Sequence, residues 1–426
     1  MYKYSYIICP CVFSERLMED KGHIEINKKR YIVLLAGIAI QFCAGTLYMW
    51  SIYNAPVAEL LFGGDRNASA LTATFMLVAF VAGILIGGRI MDKIGPKKMA
   101  VIGSLIMSSG ILASSLVNSD HSYLIYLTYG IIGGFGVGTV YTCTVSPIQK
   151  WFFDRRGFAT GLMVGAFGFS LVIFGPLADK VLLPSLGVSS TFLVFGAAFL
   201  LICVPASLLI GNPPDGYVIP KAPSACSQKQ YTTKEMLKTR SFYLITLSLF
   251  FILSAFFVLN PLFKDLGTER GLGDLAVMTV MIVGVCSASG RIAITWISDN
   301  IGRMSGLLLI FALTLAGVTL VIFAENLLYV ACMGLIAFGF GGAAGIYATV
   351  TSDNFGTKNM GSNYGLVMLG FGASALVAQV LSKTLVSDGD YTLVFIACAI
   401  TSIASLVCIL LLRAFSDTKN STDILA

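Results

Sequence analysis

The chain has 426 residues, 56% hydrophobic and only 12% charged, with a mean hydropathy of +0.84. A soluble domain carries about a quarter charged residues, so an ordinary soluble fold is excluded. The net charge of +6 falls mostly in tails and short connections and is no sign of nucleic-acid binding.

Apolar stretches recur along nearly the whole chain, each long enough to cross a bilayer core of about 30 Å as a helix. In order, the predicted spans are 31–53, 70–90, 99–117, 123–147, 158–178, 190–211, 241–263, 274–298, 305–323, 327–350, 362–385 and 391–414. Backbone groups in lipid must be satisfied within the segment, so these spans are helices. The expectation is an all-α membrane protein of twelve transmembrane helices.

Residues 1–30 read as a cytosolic N-terminal tail, with Met18 as an alternative start of translation. The run YIICPCVF within it is too short for a span and lacks a small-residue cleavage site. A polar stretch at 212–240, with five basic residues, reads as a linker between an N-terminal half (31–211) and a C-terminal half (241–414); 415–426 is a tail. The halves repeat one another. GGRIMDKIGPKK (87–98) follows span 2 and TWISDNIGRM (295–304) follows span 8, with Asp299 placed 207 residues after Asp92. WFFDRRGFATG (151–161) follows span 4 and NFGTKNMGSNYG (354–365) follows span 10. A six-plus-six duplication with a basic linker is the layout of transporters whose halves rock about a central site.

The tails and the connections after the even-numbered spans, with the span ends beside them, hold 22 of the 28 Lys and Arg residues. The opposite connections and the span ends beside them hold Arg66, Lys180, Lys264, Arg270 and Lys383. This asymmetry places both termini in the cytosol. A plasma membrane is the expected location, with an organelle membrane as the alternative. Only Arg291 is left over. It lies deep in span 8, eight residues or roughly 12 Å from Asp299. An unpaired arginine there costs at least about 2.5–3.5 kcal/mol on insertion scales. Its planar fork suits a carboxylate in a water-accessible cavity; a structural arginine bonded to helix carbonyls remains a second reading. Glycines spaced four apart, such as Gly83 and Gly87, Gly134 and Gly138, and Gly161 and Gly165, let membrane helices approach closely.

GGRIMDKIGPKK resembles the loop 2–3 motif of the major facilitator superfamily, with Gly88, Asp92, Gly95 and Lys97 at its Gly, Asp, Gly and basic positions. Pro96 stands where arginine is commoner. GTLYMWSIYNAPV, GVGTVY, KWFFDRRGFATGL and GRIAITWISDNIGR resemble the oxalate/formate antiporters and their monocarboxylate-transporter relatives, across all twelve spans. That resemblance implies an arginine in span 8, matched by Arg291, and a lysine in span 11 that together bind a dicarboxylate. The lysine position falls on Phe371. One cation suits one carboxylate, whereas oxalate leaves a second charge to stabilise. The resemblance also implies a pocket wall at Tyr48, Tyr141 and Tyr347, with Phe167, Ser287 and Phe340 at other lining positions.

Asp92 with Lys97 and Lys98 is expected to cluster with Asp154, Arg155 and Arg156 on the cytosolic rim. In the second half the matching motif residues are Asp299, Gly302 and Arg303. Such contacts, made in one conformation and broken in another, tune the balance between states. No acid or histidine lies deep within a span, so exchange and uniport stand beside proton symport. Enzyme chemistry needs an acid, base, nucleophile or metal set in a site, and the sequence shows no metal-ligand cluster, no G-x-S-x-G and no histidine in a span; neither cofactor nor metal is expected. The expected function is transport of a small monocarboxylate of the formate, lactate or pyruvate class, with or without a co- or counter-transported ion, by a monomer in a lipid bilayer. The alternatives are a carrier of another organic anion or small solute, oxalate/formate exchange included, and a non-transporting membrane sensor.

Overall fold

The computed structural model describes residues 28–214, 217, 229–272, 276–385 and 391–424. The predicted tail up to residue 27 and linker residues 215, 216 and 218–228 lie outside the described residues. Ten helical stretches are long and apolar enough to cross a membrane by length and composition. One of them, Arg156–Leu209, runs 54 residues, far more than the roughly 20 that cross a bilayer. It holds two spans, and the chain turns at Gly187, whose φ of 76° only glycine adopts readily. Pro96–Ser114, opened by Pro-Lys-Lys, completes the expected twelve among the described residues.

The first half comprises α1 (Lys28–Leu61), α2 (Arg66–Ile94), α3 (Pro96–Ser114), α4 (Tyr126–Trp151), α5 (Arg156–Leu177) and α6 (Leu183–Leu209). The second comprises α7 (Arg240–Leu259), α8 (Ala276–Ile301), α9 (Arg303–Val321), α10 (Asn326–Phe355), α11 (Met360–Val367, then Leu369–Thr384) and α12 (Thr392–Ile424). The helix α12 continues past the predicted end at 414, although its apolar part stops at Phe415. The outside of the bundle is apolar: Leu35, Leu201, Val380 and Ile400 are more than half exposed, as a lipid-facing surface requires.

Glycines set how closely the helices approach. A side chain at Gly138 would strike the Phe80 carbonyl, joining α4 to α2, and one at Gly341 would strike the Ser287 carbonyl, joining α10 to α8. Gly157, Gly161 and Gly165 lay α5 against α8, while Gly88 and Gly361 bring α2 and α11 backbone to backbone. These last two contacts join the halves.

Lys28, the described linker residues and the start of α3 share one face of the bundle, the linker face. The linker docks there at both ends. Tyr217 packs its ring 5.2 Å from Trp151, and the Tyr231 carbonyl accepts from Asn359 and Asn363 at 2.9 and 3.2 Å. A short helix the sequence reading missed, Thr233–Met236, is closed by a capping box between Thr232 and Glu235. The Thr232 backbone amide and hydroxyl hold the Glu235 carboxyl below the usual carboxylate range. Two clefts lie along the seam between the halves, although Thr74 of α2 still reaches Gln379 of α11 at 3.5 Å. A cleft of about 290 Å³ opens between α1, α5 and α8, and another of about 420 Å³ between α2 and α11.

Candidate functional site

Arg291 sits midway along α8 and is 2% exposed. Because Gly168 carries no side chain, the guanidinium reaches past it into the first half. There Nη1 donates to the Val164 carbonyl of α5 at 3.2 Å, and Nη2 donates to the Tyr48 hydroxyl of α1 at 2.9 Å. Its carbon stands 5.5 Å from the Tyr48 ring centre and 5.8 Å from that of Phe167, within cation–π range. Among the described residues no carboxylate pairs with it, and Nε has no partner. All of its partners are neutral, and two of its hydrogen bonds cross between the halves.

A cavity of about 20 Å³ adjoins the guanidinium, room for about one water. Six of the eight residues singled out from the sequence meet there: Arg291, Tyr48, Tyr141, Tyr347, Phe167 and Phe371. Phe371 holds its ring 6.0 Å from Phe80 and 5.2 Å from Phe257, so the wall is aromatic at that position. The Tyr347 hydroxyl donates to Ser248 of α7 at 2.9 Å and presents its ring to the cavity. Ser287 and Phe340 are not in the wall. Ser287 lies one turn along α8, packed under Gly341, and Phe340 stacks on Phe256 at 3.9 Å between ring centres.

Sequence reasoning missed Phe80, Leu249 and Met368, which also line the cavity. Met368 lies three residues before Phe371, a spacing that could have flagged it; Phe80 and Leu249 sit in uniformly apolar helices and carry no signal.

Between the cavity and the linker face lie polar contacts that join the halves. Gln149, Thr160 and Ser352 form a fully buried cluster, with the Ser352 hydroxyl donating to Gln149 at 2.9 Å and the Gln149 amide to Thr160. Asp353 takes Arg156 at 2.5 Å and Arg303 at 2.9 Å, while Arg303 also reaches Asp299 at 2.7 Å. The Asp299 carboxylate accepts the amides of Gly157 and Phe158 at 2.9 and 2.8 Å, at the start of α5. Asp92 repeats this in the other half, accepting the amides of Gly361 and Ser362 at 3.2 and 2.7 Å at the start of α11. Each carboxylate thus sits on the positive end of a helix from the opposite half. Gly95 and Gly302, with φ of 91° and 87°, turn the chain sharply after each motif.

This corrects the expected rim cluster. Asp92 does not pair with Lys97 or Lys98, which are exposed, and Asp154 pairs with Arg30 at 3.1 Å rather than with its neighbours. Arg155 is exposed. The reason is that free amides at a helix start satisfy a carboxylate without the side-chain ordering a lysine demands.

A family model of the Major Facilitator Superfamily matches residues 34–378. The chain belongs to that superfamily. Within it, the chain is 25% identical over 382 residues to the oxalate:formate antiporter of Oxalobacter formigenes, covering 88% of this chain and 90% of that one. It is 23% identical over 407 residues to rat (Rattus norvegicus) monocarboxylate transporter 2, covering 88% and 82%. It is 26% identical over 357 residues to an uncharacterised superfamily transporter, YhjX, of Escherichia coli K12, covering 82% and 87%. The superfamily fold is also that of the transporter FucP in its outward conformation (TM-score 0.70, 14% identity, 90% of this chain and 99% of that one). Superfamily membership points to a transporter rather than an enzyme.

Proposed function

We propose that this chain moves a small monocarboxylate anion across a membrane by alternating access, as a secondary active or facilitative transporter, with Arg291 binding the carboxylate. The observation that carries this reading is a buried guanidinium beside a cavity, held among the described residues by neutral groups only and with Nε unpartnered there. A carboxylate there supplies the missing charge and takes Nε together with an Nη hydrogen in the bidentate fashion that guanidinium geometry favours. The Tyr48 hydroxyl accepts from Nη2, so its own proton is free to donate to the same anion. Phe371, Phe80 and Phe167 make much of the remaining wall apolar, so the cavity, once widened beyond its one-water volume, suits one carboxylate with a short apolar remainder and offers no cation to a second charge. The oxalate:formate antiporter and monocarboxylate transporter among the relatives support the same substrate class.

In this reading the linker face is cytosolic, which the Lys and Arg distribution supports. The anion enters by a route that opens on the opposite face and neutralises Arg291. Rocking of the halves then breaks the Asp92, Asp299 and Gln149 contacts and opens the cytosolic route. Only differential binding to the two conformations drives such a change.

The test is uptake of radiolabelled formate, lactate, pyruvate and oxalate into proteoliposomes, with Arg291→Ala alongside. Loss of two charge-assisted hydrogen bonds at about 1.5–3 kcal/mol each predicts uptake at least a hundredfold lower in the variant. Saturable oxalate uptake as fast as that of any monocarboxylate would refute the substrate assignment. Uptake indifferent to the mutation would make Arg291 structural.

A further inference from the structure

Tyr364 does not line the cavity, yet its hydroxyl lies 3.4 Å from that of Tyr141, which does. The two rings are nearly parallel, 6.5 Å apart at 19°, and Tyr364 is 1% exposed. The contact crosses between the halves, from α4 to α11. Its location within α11 matters. The helix is interrupted at Met368, so Met360–Val367 is a separate eight-residue piece. Three and two residues before Tyr364, near the start of that piece, are the Gly361 and Ser362 amides held by Asp92. One short rigid element therefore touches a wall residue of the substrate cavity and the bonds that close the linker face.

A tyrosine hydroxyl has one proton to give. Tyr141 can donate it to an anion in the cavity while its oxygen accepts from a neighbour, and Tyr364 is the donor within reach. Donors in series polarise one another, so Tyr364 strengthens the bond that Tyr141 offers. At 3.4 Å the contact is long for O–H···O, and anion binding that tightens it pulls on the Met360–Val367 piece.

The geometry points to Tyr364 as a positioning residue that aims the Tyr141 hydroxyl at the bound carboxylate and couples anion binding to the Asp92 contact. This rests on the monocarboxylate reading of the Arg291 cavity.

The experiment is carboxylate uptake by wild type, Tyr364→Phe, Asp92→Asn and the double variant, each normalised to reconstituted protein. The substrate is whichever of formate, lactate and pyruvate the wild type carries. For one neutral hydrogen bond, Tyr364→Phe should raise KM about three- to tenfold while the maximal rate changes less than twofold. A merely packed tyrosine does not separate the two constants. The effects of Tyr364→Phe and Asp92→Asn on KM should fail to multiply, the double variant departing at least about threefold from their product. Installing 3-fluorotyrosine at position 364, which keeps the shape and sharpens the donor, should lower KM below wild type, and it serves if the Phe variant does not reach the membrane. An unchanged KM in Tyr364→Phe or with the fluorinated residue, or effects that simply multiply, overturns the proposal while leaving the monocarboxylate reading intact. No carboxylate uptake by the wild type overturns both.

Discussion

Arg291 and Tyr48 form a pair whose parts come from opposite halves. The guanidinium is on α8, and the hydroxyl that accepts from it is on α1. Removing that oxygen has two consequences: one N–H of a buried cation loses its acceptor, and the carboxylate loses a donor. Tyr48→Phe is therefore expected to raise KM by about tenfold, near 1.4 kcal/mol, with correctly inserted protein. Uptake kinetics in proteoliposomes check this; a KM within twofold of wild type would mean that Tyr48 only packs against Phe167. At this scale the sequence was informative about charge and silent about geometry. Arg291 was conspicuous as a lone cation among apolar residues. The aromatic wall was harder, because Phe80 differs in no local way from the many phenylalanines that face lipid or core, and Ser287 and Phe340 occupy suitable heights on their helices but not the facing side.

Two helix starts are held by carboxylates of the opposite half, Asp92 on α11 and Asp299 on α5. An acid at a helix N-terminus contributes about 0.3–2 kcal/mol, and charge-assisted bonds to the amides add to it. Asp92→Asn keeps the shape and removes the charge. Hydrogen–deuterium exchange at the Gly361 and Ser362 amides should accelerate about tenfold, corresponding to 1.4 kcal/mol of lost protection. Unaltered exchange would show that the Gly88–Gly361 backbone contact alone keeps α2 on α11. The repeat of these elements was visible in the sequence as two Asp-x-x-Gly motifs 207 residues apart. Their partners were not visible, since a backbone amide leaves no residue-type signature. The expected pairing with nearby lysines failed for that reason.

Polar contacts join the halves on the linker face, well away from the cavity, so they act on the anion only through the balance between conformations. Arg156 illustrates this, being held by Asp353 and by the Gln149 carbonyl, well away from the cavity wall. Arg156→Ala should change the maximal transport rate about three- to thirtyfold, as a shift of roughly 1–2 kcal/mol in a two-state balance implies. Anion binding measured directly by calorimetry in detergent should move by no more than that factor, because only the population of the competent state is altered. A complete loss of binding would place Arg156 in the site itself.

Span number, the twofold repeat and the isolation of Arg291 came from the sequence alone, because the energy of placing a charge or an apolar stretch in lipid depends chiefly on the residues themselves. The same local rule gave the expected orientation. The facing of each helix came only from the tertiary structure. Lipid tails are as apolar as the bundle interior, so no hydrophobic stripe marks the inner side of a membrane helix, and close packing of small residues settles it instead. That packing chose Phe80 and Met368 for the cavity wall, set Asp92 on the start of α11, and brought Tyr364 to Tyr141 across the two halves.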